Sequence, residues 1–200
     1  DFTAAVAAHA GIRRAVLIDP QPAMVPELRR RFPDDRFHIA SVALGERDSV
    51  AELAILAADS CSSLLTVKPE AGFAGRQIDT TVTERRQVEV TSLDGLLERQ
   101  QRRGPIDLLK IDTQGSELSV LKGAARSLPS VRLLWIEVSF RSLYEGDALF
   151  PEVHAFLSAA GFRFYSLHDV YRNANRELVY YYADRAARPI RLERLRARFA

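Results

Sequence analysis

The sequence predicts an α/β fold: a doubly wound, mostly parallel sheet with an antiparallel hairpin at its C-terminal edge. Short continuous apolar runs end in acids or turn formers, helical stretches alternate with them, and the last two β-rich runs lie too close together for a helical crossover.

The Ala-rich start from Asp1 to Ala10 sets Phe2, Val6 and Ala10 at helical spacing, and Gly11 follows as a stop signal. Ala15, Val16, Leu17 and Ile18 form an apolar run ended by Asp19-Pro20, the pattern of a strand buried on both faces. From Pro22 to Phe32, Met24, Val25, Leu28 and Phe32 share one side of a helix, Arg29, Arg30 and Arg31 surround the rest, and Pro33 ends it. Phe37, Ile39, Val42 and Leu44 suggest the next strand. Turn formers from Gly45 to Asp48 lead into a β-compatible run from Ser49 to Leu56, so a hairpin-like pair is expected there. A polar loop from Asp59 to Ser63 follows, Gly72 and Gly75 mark loop positions, and Val82, Val88 and Val90 resume the β character.

Ser92 is placed to cap a helix running to about Arg103, its hydroxyl accepting from a first-turn amide, and Gly104-Pro105 stops that helix. The strand from Ile106 to Ile111 is interrupted only by Asp107 and Lys110, and Asp112-Thr113-Gln114-Gly115 then leads straight into an amphipathic helix from Ser116 to Ser127. Val131 to Val138 is a further strand carrying Glu137 near its carboxyl end, and Phe150 to Ala160 is a helix closed by Gly161. Phe162 to Leu167 and Glu177 to Ala183 form the final strand pair, joined through Asp169 to Arg176.

Composition bounds the function. The 200 residues suit one packed domain, with 47% hydrophobic and 27% charged residues excluding a disordered chain. A formal charge of +2 gives no footprint for a phosphate backbone, so nucleic acid is not indicated. One cysteine, Cys61, excludes an internal disulfide, and neither a secretory leader nor a membrane-length apolar run is visible; a soluble, cytoplasmic protein is expected. The expected division is a domain over 1–184 followed by a basic tail or helix over 185–200, where Arg191, Arg194, Arg196 and Arg198 interleave with Leu192, Leu195 and Phe199.

Ligands of open α/β sheets bind beyond the carboxyl ends of the strands. Three acids end strands here, Asp19, Asp112 and Glu137, and one rim is the expected site of all three. Asp19 stands where an ionised, acceptor-only group receives both ribose hydroxyls of an adenosine-type cofactor, although taken alone an Asp-Pro turn closing a strand is the better account of it. Asp112 reads as a site acid or as a helix N-cap, and the two roles are compatible. Glu137, set among Leu133, Leu134, Trp135, Ile136 and Val138, must be paired or face the cleft. His9, His38, His154 and His168 are scattered and read as packing or surface groups, with His168 in reach of the cleft. A metal held by Asp112, Glu137 and a third oxygen is conceivable, but no His-rich or Cys-rich spacing supports one, and none is expected.

The run Ser92-Leu93-Asp94, the block from Ile106 through Asp112-Thr113-Gln114-Gly115 to Leu118, and Val120-Leu121-Lys122-Gly123-Ala124 resemble the central signature of FkbM-type methyltransferases. Ile136-Glu137-Val138-Ser139-Phe140, Leu143-Tyr144-Glu145-Gly146 and Gly161-Phe162 look like its later blocks, while Ile18-Asp19-Pro20-Gln21-Pro22 and the Ser-rich loop from Ser60 to Leu64 look like its earlier ones. The resemblance implies a Rossmann-like class I methyltransferase sheet, S-adenosylmethionine as methyl donor, and transfer to a hydroxyl of a sugar, a polyketide or a similar metabolite. It implies Asp19 and Pro20 at the cofactor's ribose, Asp112 near the transferring methyl as base or orienting group, Glu137 on the acceptor side, and Gln114 facing the cleft, with Glu117 structural. In that family a first strand and an Asp-x-Gly-x-x-x-Gly loop precede the helix matched by Asp1 to Ala10; no counterpart stands before Asp1, so a piece of a longer coding sequence is expected. Two other readings remain open, a nicotinamide-dependent oxidoreductase and a catalytically silent domain serving assembly. The acceptor and the oligomeric state are not legible.

Overall fold

The computed structural model describes residues 2–69, 78–173 and 176–184. Two compact units are distinguished, one within Asp1–Ala43 and the other within Leu44–Arg185.

In the first unit, α1 (Phe2–Ala10) ends at Gly11, whose φ of +61° supplies the left-handed stop. β1 (Ala15–Ile18) and β2 (Phe37–Ala40) pair in parallel through α2 (Met24–Arg31), with Ala15 opposite Phe37 and Ile18 opposite Ala40. α2 begins later than its apolar spacing suggests because Met24 N donates to Gln21 O and Val25 N to Pro22 O, a tight turn ahead of the helix. Pro26 fits in its first turn, where no intrahelical donor is lost. Phe32 is buried at the helix end, its ring 4.9 Å from that of Phe37. All four β1 residues are half-buried rather than covered on both faces, since β1 and β2 form a sheet of only two strands among the described residues.

In the second unit, β3 (Ala43–Leu44), β4 (Ser49–Leu56) and β5 (Val82–Thr91) are ordered β3-β5-β4. The hairpin expected across Gly45 to Asp48 is therefore corrected: β5 lies between its two arms. Gly45 N donates to Thr91 O, and Asp48 accepts from the Thr91 hydroxyl at 2.8 Å, so the turn is anchored on a strand some forty residues away. α3 (Leu93–Arg99) starts at Ser92, whose hydroxyl accepts from Gly95 N at 3.0 Å. It stops short of Arg103 because nothing after Leu97 can be buried, and Gln101 already turns left-handed at φ +52°.

The last sheet carries β6 (Ile106–Ile111), β7 (Val131–Ser139), β8 (Arg163–Asn173) and β9 (Arg176–Asp184) in the order β6-β7-β9-β8. β6 and β7 are parallel, while β9 runs antiparallel to both β7 and β8. The expected C-terminal hairpin is present, longer than its apolar runs and inserted with β9 against β7. α4 (Glu117–Lys122) ends well before Ser127. There the Asp94 carboxylate accepts from the amides of Arg126 and Ser127, and Gly123 approaches the Gly45 carbonyl so closely that a Cβ would lie 2.0 Å from its oxygen. α5 (Phe150–Ala159) closes at Gly161, φ +83°.

The core sits on β7. Leu134 and Ile136 are fully buried, with Val120 and Leu121 of α4 and Val153 and Leu157 of α5 among the unit's other fully or almost fully buried side chains. Each such side chain contributes about 1.5–3 kcal/mol on leaving water. Among the described residues the architecture is mixed α/β as expected: β1–β2 and β6–β7 are parallel, while β4–β5, β7–β9 and β8–β9 are antiparallel. The basic segment over 185–200 lies outside the described residues. Among the described residues no helix is long and apolar enough to cross a membrane.

Candidate active site

β6 and β7 run side by side with Ile111 opposite Ile136. Carried one residue further, the same register sets Asp112, the first residue past β6, beside Glu137. Strand alternation puts Lys110 on the same side as Asp112, and Lys110 Nζ lies 2.5 Å from Asp112 Oδ2.

After Asp112 the backbone turns left-handed, with φ +53° at Gln114 and +103° at Gly115. A side chain in that region costs about 1–2 kcal/mol, so the turn must be held from outside. Three contacts hold it. The Glu117 carboxylate accepts from Thr113 N at 2.8 Å and Gly115 N at 3.0 Å. Ser63 Oγ donates to the Gln114 carbonyl at 2.7 Å. A Cβ on residue 115 would sit 3.1 Å from both Leu65 Cδ1 and Tyr144 Cδ2, so glycine also lets these groups close over the turn.

The turn carries the Gln114 side chain back over the strand ends. Its amide Nε2 donates to Asp112 Oδ1 at 2.9 Å and to Glu137 Oε2 at 2.8 Å, one hydrogen for each carboxyl. Its Oε1 accepts from the Tyr144 hydroxyl at 2.9 Å.

The two carboxyls differ in charge. Burial pushes Glu137 well above the usual carboxylic range, and the negative charge of Asp112 pushes it further. Burial acts in the same sense on Asp112, but the ammonium of Lys110 and hydrogen bonds from Lys110 and Gln114 outweigh it and hold Asp112 below its ordinary value. Of the two, Glu137 is therefore the carboxyl pushed toward its protonated form and Asp112 the one held toward its ionised form. Burial likewise raises Glu117, opposed by the amides it receives. Tyr144 is raised by burial and by the surrounding negative charges, which keeps its phenol a donor.

Asp112, Gln114 and Glu137 are thus brought together. Asp19 and Pro20 lie in the other unit, at the carboxyl end of β1. Asp19 N continues the ladder by donating to Ala40 O at 3.1 Å, and its Oδ1 accepts from Gln21 N at 2.8 Å, which orients the carboxylate across Pro20. Glu117 serves the turn, and it rather than Asp112 receives the amides ahead of α4. Among the described residues no group of three or more His, Cys, Asp or Glu side chains could hold a metal ion. His154 packs between the rings of Phe150 at 5.5 Å and Phe164 at 6.2 Å, and the side chain of His168 lies outside the described residues.

Lys110, Ser63 and Tyr144 were not singled out as site residues from the sequence. Lys110 had a readable signal, a cation within a buried strand two positions before a strand-end acid. Ser63 and Tyr144 lie in segments that resemble family blocks, but nothing in the sequence joins them to Gln114, from which 51 and 30 residues separate them.

No curated protein and no solved structure matches the chain. The family model described as the methyltransferase FkbM domain matches residues 1–164. The chain, with its signature acid-turn-helix segment built around Asp112, belongs to the FkbM methyltransferase family, a family of methyl-transferring enzymes.

Proposed function

We propose that the chain transfers a methyl group from S-adenosylmethionine to a hydroxyl oxygen of a small metabolite such as a sugar or a polyketide. The observation that carries this reading is the pair of Asp112 and Glu137, bridged by one amide at the carboxyl ends of two parallel strands.

Asp19 fits the cofactor's ribose diol: it is acceptor-only when ionised, stands at the carboxyl end of a parallel strand, and is oriented by its own turn. Pro20 walls that turn. When bound, S-adenosylmethionine would supply an electrophilic methyl carbon on a sulfonium sulfur. Asp112, held toward its ionised form by Lys110, would accept the hydroxyl's proton as the acceptor oxygen takes the methyl carbon, the carbon–sulfur bond breaks and the sulfur leaves as a neutral thioether. A base below the usual carboxylate range suffices, because an oxygen that is being alkylated becomes strongly acidic. Glu137, pushed toward its protonated form, supports the acceptor side, and the Gln114 amide holds both carboxyls by donating one hydrogen to each. Family membership favours this reading over a nicotinamide oxidoreductase.

The test is calorimetric titration of the protein with S-adenosylmethionine and, in parallel, NAD, followed by transfer of labelled methyl to a panel of sugar and polyketide alcohols. Saturable binding of the sulfonium donor with label in an ether product is expected. NAD binding alone would return the oxidoreductase reading, and donor binding without transfer to any alcohol would leave a silent domain.

A further inference from the structure

We propose that Tyr144 is a positioning residue for the Asp112 and Glu137 pair, acting through the side-chain amide of Gln114; the catalytic consequence rests on the methyl-transfer reading above. An amide can sit in either of two orientations, and only one presents hydrogens to the carboxyls. With Oε1 turned inward it would face the ionised Asp112, and Nε2 would be withdrawn from both acids. The Tyr144 hydroxyl, 2.9 Å from Oε1, marks the outer end of the amide as the acceptor end.

The hydroxyl is itself held from elsewhere. Tyr144 is 2% exposed and packs in a cluster with Leu56, Cys61 and Leu143. Its backbone N and that of Leu143 donate to Asp147 Oδ2, at 3.2 and 2.8 Å, and Glu145 N donates to Thr66 O at 2.8 Å. The phenol has one hydrogen and two acceptors in range, Gln114 Oε1 at 2.9 Å and the Cys61 carbonyl at 3.2 Å, and the shorter contact goes to the glutamine. Gln114 is therefore clamped at its carbonyl by Ser63 and at its side chain by Tyr144, and its amide is pre-set before any ligand arrives. Among the described side chains, the charged and titratable groups that act on the pair include Lys110 on β6, Glu117 on α4 and the phenol itself.

The test follows the carboxyl carbons by NMR titration of the full chain without ligand. In Tyr144→Phe the ring and its packing remain, the amide loosens, and the Asp112 midpoint moves to higher pH. Gln114→Ala moves the Asp112 midpoint in the same direction, and adding Tyr144→Phe to it produces no further movement. Methyl transfer falls about 2- to 10-fold in Tyr144→Phe, the range of one lost neutral hydrogen bond. An Asp112 midpoint that stays put in Tyr144→Phe overturns the proposal, as does a shift of equal size in the Gln114→Ala background. A Tyr144→Phe chain that no longer folds also overturns it, assigning the hydroxyl to the scaffold through Cys61. If Tyr144→Phe moves the midpoint while Asp112→Asn transfers methyl at the wild-type rate, the positioning stands and the catalytic reading of Asp112 fails.

Discussion

Asp112 stands beside Glu137 because Ile111 is paired with Ile136, one step earlier on two parallel strands. Two carboxyls so placed cannot both ionise cheaply, and the asymmetry of their surroundings decides which one does: Lys110 lies against Asp112, while Glu137 is the more deeply buried.

Replacing Asp112 by Asn keeps the shape of the site and removes the proposed base. Methyl transfer is expected to fall by roughly 100- to 10,000-fold, the usual contribution of a positioned general base. Initial rates with labelled donor, alongside a circular dichroism spectrum matching the wild type, check this. Wild-type rates would remove Asp112 from the chemistry.

Asp19→Ala tests the proposed ribose contact. Loss of hydrogen bonds to an ionised acceptor, worth about 1.5–3 kcal/mol, is expected to weaken S-adenosylmethionine about 10- to 100-fold in calorimetry. An unaltered dissociation constant would discredit the ribose role.

Glu137 makes stability depend on pH in a definite sense. Its folded pKa lies above its unfolded value, so above the ordinary carboxylic range the native state holds a proton that the unfolded chain has released. This group's contribution is complete below about pH 4.5 and is lost progressively as pH rises toward the raised folded value. Glu137→Gln abolishes that titration, so the gap in melting temperature between variant and wild type should shift in the variant's favour as pH rises from 5 to 8. Parallel curves would mean that Glu137 ionises in the fold as it does in water.

Gly115→Ala places a Cβ at φ +103°, 3.1 Å from Leu65 and Tyr144. A loss of about 2 kcal/mol or more is expected, read as a lower urea midpoint at unchanged slope. A neutral effect would show that the turn relaxes, and with it the grip on Gln114.

Local chemistry made much of this legible in advance. The apolar run from Ile106 to Ile111, the Ser92 cap and the Gly161 stop each encode their element within a few residues, and Asp112 and Glu137 are recognisable as acids at strand ends. Helix ends were less legible. α3 and α4 both stop where burial gives out or where Asp94 captures the chain, not where polar spacing breaks.

Strand partners were decided only in three dimensions. Gly45 to Asp48 looks like a hairpin turn, yet β5 takes the place of the nearer strand because Thr91 binds both Gly45 and Asp48. The same holds for the site. Sequence alone determined the types of its acids and the family of the chain, since charge type and motif spacing are written along one dimension. Tertiary structure decided that Glu137 is the carboxyl pushed toward its protonated form, that Gln114 bridges the pair, and that Tyr144 and Ser63 clamp Gln114, because carboxyl titration and amide orientation depend on burial and on neighbours that only folding brings within 3 Å.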